Sequence, residues 1–168
     1  MKPIEAPDVK TVLLATDFSR WTTNAVEYAF GVARCFDAEV LMVHGIEPIS
    51  DAAVEDDDDG DDLGEFYGEL SEKARDRLEE LVEEADRRDV NARYHIEIGQ
   101  RWRIVLDCAE EEDVDLIVVG RRAQIDHENL SLGTTSQRIY FGTDRPVMTV
   151  PSDPQSDEDD DGTLDDDR

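Results

Sequence analysis

The sequence predicts an α/β fold: a three-layer sandwich in which five parallel strands lie between two layers of helices. Short apolar runs of strand length alternate with segments whose apolar residues recur at helical spacing. The run at 115–120 (DLIVVG) is almost continuously apolar, as a strand covered on both faces must be. Successive strands are separated by stretches long enough for helical crossovers, and right-handed crossovers of this kind join parallel neighbours.

The first strand is read at 10–16 (KTVLLAT). Ser19 suits the N-cap of a helix over 20–36, with Thr22, Ala25, Val26, Ala29, Val32, Ala33 and Phe36 turned inward. The second strand is 39–45 (EVLMVHG). The stretch 51–62 (DAAVEDDDDGDD) holds eight acids and no base, cannot pack, and is expected to be a mobile loop. A long helix follows, its apolar face running from Leu63 through Phe66, Tyr67, Leu70, Ala74 and Leu78 to Leu81, Val82 and Ala85. The alternating segment 91–99 (NARYHIEIG) reads as the third strand. A short helix over 101–112 turns Ile104, Val105, Cys108 and Ala109 inward. After the fourth strand at 115–120 come a loop, a short helix over 134–141, and a fifth strand at 145–151 (RPVMTVP). The domain spans 1–152, and 153–168 is expected to be a disordered acidic tail.

Charge narrows the partners. The 168 residues carry 44 acids against 17 basic residues, a formal net charge of −27. Only three of the basic residues are lysines (Lys2, Lys10 and Lys73). Such a surface repels nucleic acid and anionic membranes, so neither is expected as a partner. The acids are not confined to 51–62 and 152–168; the rest of the chain still carries −11. An acidic, lysine-poor chain fits the cytoplasm of a salt-in halophile, where molar salt shortens the Debye length to ~3 Å and screens the self-repulsion. Cys35 and Cys108 form no CxxC pair and read as buried reduced thiols. No apolar run approaches the ~20 residues of a membrane span, and the first ten residues hold no signal-peptide core.

In a parallel α/β sheet, ligands bind beyond the carboxyl ends of the strands. The loops TDFS (16–19) and GRRAQ (120–124) both lie on that edge. Thr134 and Gln137 have capping-box spacing, which marks a helix start whose amides and partial positive charge suit phosphate. The hydroxyls of Thr134, Thr135 and Ser136 add donors, and Arg121 and Arg122 supply positive charge nearby. There is no Walker A sequence, no G-x-G-x-x-G, no Ser-His-Asp or Cys-His arrangement, and no metal site; DHE (126–128) is too compressed to hold one alone. Trp21 and Trp102, each near a helix start, read as packing residues.

From about 9 to 151 the chain resembles the universal stress protein family. LLATDFS (13–19) resembles that family's first strand and its aspartate. VDLIVVGRRA (114–123) and LGTTSQRIYFGTDRPVMTV (132–150) resemble its closing third. Nucleotide-binding members carry Gly, two residues, Gly, nine residues, then Gly-Ser or Gly-Thr. Here Gly120 is the first glycine, 124–132 the nine-residue spacer and Gly133-Thr134 the final pair, while Ala123 stands in place of the middle glycine. The resemblance implies an adenine-nucleotide alpha-hydrolase-like (Rossmann-like) fold, ATP as ligand, and a homodimer formed through the last strand, 146–150. It places Ala15, Thr16, Asp17 and Gly45 near the nucleoside. It places Gly120, Ala123 and the Gly133–Ser136 group near phosphate; Arg121 is a candidate there by its charge and not by the family pattern. It implies a regulatory binding protein rather than an enzyme, with ATP hydrolysis at most slow and incidental. Whether a divalent metal accompanies the phosphate is left open. A nucleotide-free dimer acting through protein contacts is the alternative that Ala123 favours; a weak nucleotidase on a related fold is a third.

Overall fold

Every predicted strand and helix forms, with ends shifted by up to three residues. The computed structural model describes residues 7–49, 60–121 and 133–152. The strands are β1 (Thr11–Ala15), β2 (Glu39–Ile46), β3 (Ala92–Ile98), β4 (Leu116–Arg121) and β5 (Val147–Pro151). The helices are α1 (Thr23–Phe36), α2 (Gly60–Arg87), α3 (Arg101–Glu111) and α4 (Thr134–Gly142), and a 3-10 turn at Arg20–Thr22 precedes α1. The five strands form one parallel sheet in the order β3-β2-β1-β4-β5. From β1 the chain builds outward through β2 to β3, then returns to lay β4 and β5 on the other side. Right-handed crossovers running in opposite directions put their helices on opposite faces.

Two cores follow from the two-residue repeat of the strands. Val12 and Leu14 of β1 turn to the α1–α2 face, with Val40, Met42 and Val118 alongside and Phe30 and Leu78 from the helices. Leu13 turns to the other face, with Leu41, Val43, Ile117 and Val119, under Ile104 and Val105 of α3 and Ile139 of α4. β1, β2 and β4 hold the fully buried centre, whereas β3 is a half-buried edge with Ile98 47% exposed, so its alternation marks an edge and not a covered face. At the amino ends of the strands, the Asp115 carboxylate accepts the Lys10 and Thr11 amides at 2.8 and 3.0 Å and ties β4 to β1.

Several expectations are corrected. Helix 20–36 opens as the 3-10 turn, and Ser19 makes no side-chain cap; its carbonyl accepts the Thr22 amide instead. Phe36 is 42% exposed because it lies at the last residue of α1, whereas Phe30, midway along, is buried. Phe66 is likewise 42% exposed in the early turns of α2. That helix begins at Gly60, so 60–62 of the expected loop are helical; the remainder of that loop from 51, and the tail from 153, lie outside the described residues. Cys35 is exposed; Cys108 alone is buried, and burial pushes its thiol up to about 11.

One contact joins β4 to the turn after β1. A Cβ built on Gly120 would overlap the Trp21 carbonyl oxygen and lie 3.1 Å from the Thr22 Cα, so only glycine lets these backbones meet. Gly120→Ala is expected to destabilise the protein by about 1–3 kcal/mol, the usual cost of overpacking. Chemical denaturation showing unchanged stability would disprove this requirement.

Candidate functional site

The site begins where β1 stops and β2 continues. The Thr16 amide donates to the Val43 carbonyl at 3.0 Å, beyond the last β1 residue, Ala15. Val43 therefore turns its N–H and C=O toward β1, and the two-residue repeat gives Gly45 the same orientation. No strand stands opposite Gly45, because the chain has turned away at Asp17. The Thr16 carbonyl, which a continued ladder would pair with the Gly45 amide, instead accepts a hydrogen bond from His44 Nδ1 at 2.9 Å. Gly45 also needs to lack a side chain: a Cβ there would lie 3.0 Å from the Arg101 Cα and from Ile104 Cδ1.

The turn after β1 is held in an unusual conformation. Phe18 has φ 59°, a left-handed backbone uncommon for a bulky side chain. Its amide donates to Thr16 Oγ1 at 3.1 Å, and its ring lies 4.4 Å from that of His44. The Arg77 guanidinium covers Phe18 at 5.5 Å. Burial pushes the His44 imidazole below its ordinary value, against the opposing pull of its bond to Thr16. Asp17 accepts the Ser19 amide through Oδ1 at 3.0 Å, so it shapes the turn as well as lining the cleft. Thr22 Oγ1 donates to the Ser19 carbonyl at 2.9 Å and lies 3.3 Å from Thr16 Oγ1.

The cleft has two lobes that share Asp17, Thr22, Gly120, Thr135 and Ser136. The inner lobe, about 90 Å³, is lined by Ala15, Thr16 and Gly45, floored by Val43 and Val119, and bordered by Arg101. The outer lobe, about 380 Å³, adds Ser19, Trp21, Arg121, Gly133 and Thr134. Only the outer lobe reaches the ~300–1,000 Å³ usual for ligand pockets. Ala15, Thr16, Asp17, Gly45, Gly120, Arg121, Gly133, Thr134, Thr135 and Ser136, the described residues expected at the site, all line one lobe or the other. Ala123 and Arg122 lie outside the described residues.

Two details of α4 differ from expectation. Its N-cap is Gly133, whose carbonyl accepts the Gln137 amide at 2.9 Å; Thr134 is the first helical residue, so the capping box does not form. The Ser136 hydroxyl donates to the Gly120 carbonyl at 3.1 Å and joins the first turn of α4 to the end of β4. Gly133 itself has φ −52°, and a Cβ there would meet nothing within 4 Å among the described residues. Neither strain nor the packing of the described residues requires a glycine at this place.

The sequence left Thr22, Arg101 and Ile139 unassigned to the cleft. Arg101 carries the one available signal, a cation opening the helix that follows β3. Among the described residues, the buried side-chain polar atoms without a hydrogen-bond partner are Ser19 Oγ, Arg101 Nε and Trp102 Nε1, all at this edge of the sheet. Also among the described residues, no group of three or more His, Cys, Asp or Glu side chains is placed to hold a metal ion. No described helix is long and apolar enough to cross a membrane.

The geometry defines a parallel α/β protein with a cleft at the switch point of its sheet, a Rossmann-like fold of the adenine-nucleotide alpha-hydrolase-like type. The chain belongs to the universal stress protein family, whose pattern matches residues 8–151. It is 31% identical over 144 residues to the Thermus aquaticus universal stress protein of the QAH/OAS sulfhydrylase 3' region, covering 84% of this chain and 98% of that one. The solved structure of MJ0577 from Methanocaldococcus jannaschii superposes with a TM-score of 0.73 at 21% identity, covering 88% of this chain and 99% of its own. A universal stress protein from Archaeoglobus fulgidus, solved in complex with dAMP, gives a TM-score of 0.59 at 16% identity, covering 85% of this chain and 98% of its own.

The depressed imidazole has a consequence for stability. His44 takes up its proton more readily in the unfolded chain, so its contribution is present above the unfolded value of 6.5 and is lost as pH falls from there through the lower folded value. The stability difference between wild type and His44→Gln is expected to shrink as pH drops below neutrality. Denaturation curves in which that difference is independent of pH would contradict this.

Proposed function

We propose that this chain is a regulatory module of the stress-response type that binds an adenine nucleotide, with ATP as its ligand. The observation that carries the reading is the convergence of Asp17, Gly45, Gly120 and the Gly133–Ser136 group on one cleft from four separate segments. Gly45 presents a donor and an acceptor side by side, a pattern complementary to the ring acceptor and exocyclic amine of adenine. Asp17 supplies a carboxylate acceptor for sugar hydroxyls. The amides and partial positive charge at the start of α4, with Arg121 at the end of β4, suit phosphate. The dAMP complex of the Archaeoglobus fulgidus homologue supports the choice of an adenine nucleotide. The described residues offer acceptors and donors for holding a nucleotide and no nucleophile–base pair for turning it over, so hydrolysis is incidental in this reading.

Gly133 provides the test. Because a Cβ there meets none of the described residues, Gly133→Val should fold with stability within about 1 kcal/mol of wild type, the scale of cap effects. Its β-branched side chain should block the approach to the α4 amides and abolish ATP binding. Calorimetry giving equal ATP affinity for wild type and variant would remove the site from consideration. The second reading, a nucleotide-free dimer acting through protein contacts, is favoured by Ala123 in the family's glycine position. Mass spectrometry of nucleotide released from the purified, denatured protein separates the two.

The chain is further proposed to act in the cytoplasm of a salt-rich cell as a homodimer paired through 146–150. β5 is an edge strand with β4 on one side only. The Pro146 carbonyl and Ser152 amide bond toward β4, so by alternation Val147 and Thr149 turn their amides outward. Pairing with a second copy across a two-fold axis satisfies these groups. Thr149→Pro removes one outward donor and leaves the β4 ladder intact, as edge prolines do. Light scattering is expected to show a wild-type dimer that strengthens from dilute buffer to molar KCl, and a weakened dimer for Thr149→Pro. A wild-type monomer at all salt concentrations would sink both the dimer and its salt dependence.

A further inference from the structure

Arginines in this acidic chain differ in their partners. Three near the amino edge of the sheet are neutralised. Arg88 bonds Glu27 and Glu84, Arg93 bonds Glu39 and Glu112, and Arg145 bonds Asp113. At the carboxyl edge the pattern changes. Arg101 has only Glu47, at 3.8 Å. Arg103 and Arg138, both exposed, have no carboxylate within salt-bridge distance among the described residues. Instead both lie over the ring of Trp102, at 5.4 and 5.6 Å from its centroid. In a chain with a formal charge of −27, these two cations meet one indole in place of carboxylates.

Their position relates them to the cleft. Trp102 and Arg103 lie in the first turn of α3, directly after Arg101 of the inner lobe. Arg138 follows Thr134 and Thr135 by four and three residues, so it shares the helix face of two residues that line the outer lobe. Helical side chains lean toward the N-terminus, which inclines both arginines toward the cleft edge. Trp102 Nε1 and Arg101 Nε are buried donors without partners in the same place. A platform of two guanidinium groups held on an indole is suited to an oxyanion, because each guanidinium offers a planar fork of donors.

We infer that Arg103 and Arg138, spaced by Trp102, form a subsite for the distal phosphate of the bound nucleotide and make the cleft selective for nucleoside di- and triphosphates over monophosphates. This rests on the nucleotide-binding reading above and assigns to it a class of ligand and two specificity-determining residues. Gly133 and the start of α4 take the proximal phosphate, and the arginine pair takes the charge beyond it. The neutralised arginines of the amino edge have no such role.

The experiment is calorimetry of the full chain with AMP, ADP and ATP in molar KCl, where a Debye length of ~3 Å suppresses long-range charge effects. Wild type should bind ATP more tightly than AMP. The Arg103→Gln/Arg138→Gln double variant should lose about tenfold or more in ATP affinity, the scale of lost charged hydrogen bonds, while AMP affinity is unchanged. Arg34→Gln, which removes a cation from the far end of α1, should bind all three as wild type does. Equal losses for AMP and ATP in the double variant, or an undiminished preference for ATP, would overturn the subsite while leaving nucleotide binding intact. Wild type that binds none of the three would overturn the underlying reading and the subsite with it.

Discussion

The close approach of β4 to the turn after β1, at Gly120 and Trp21, is the constraint on which the site depends. The switch point of a parallel sheet is open because the chains leave its two central strands toward opposite faces. Here the 3-10 turn presses onto β4 so closely that a single methyl group would separate them. That contact fixes Asp17, Ser19 and Thr22 relative to the end of β4. The Ser136 hydroxyl on the Gly120 carbonyl then fixes the start of α4 to the same point. The two sides of the cleft thus share one backbone anchor.

The three site glycines serve three different physical ends. Gly120 permits two backbones to touch, and Gly45 permits α3 to lie close over the end of β2. Gly133 does neither, and it has an ordinary backbone angle. The same residue type therefore supports packing in two places and an unobstructed helix start in the third. Phe18 provides the contrasting case: its left-handed conformation is maintained by His44, the Thr16 hydroxyl and Arg77 in place of the freedom a glycine would have. Strain of this kind persists only where the surroundings over-determine it.

Much of this was legible in the sequence because burial leaves a pattern. A strand covered on both faces reads as an apolar run, and Leu116–Val119 is one. The order of strands and helices then dictates which loops meet and puts Asp17 and Gly120 at one edge; the family resemblance adds Gly45 and Gly133. Periodicity fails at the ends of elements, where the repeat continues past the protein's edge; Phe36 and Phe66 show it. Cap spacing located the start of α4 but misassigned its cap, since Gly133 caps through its backbone alone. Arg101, Thr22 and the His44–Phe18 pair were hidden for a different reason. Their neighbours come from distant segments, and no local spacing announces them.

The end of β5 carries a practical consequence. Ser152 is buried, and its amide donates to the carbonyl of Arg121, a residue of the outer lobe, at 2.8 Å. Anything attached after this residue departs from the mouth of the cleft, whereas the chain leading into Thr11 arrives at the opposite edge of the sheet. A fusion partner joined directly after Ser152 is therefore introduced beside the cleft, and one joined directly before Thr11 is kept away from it by the height of the strands.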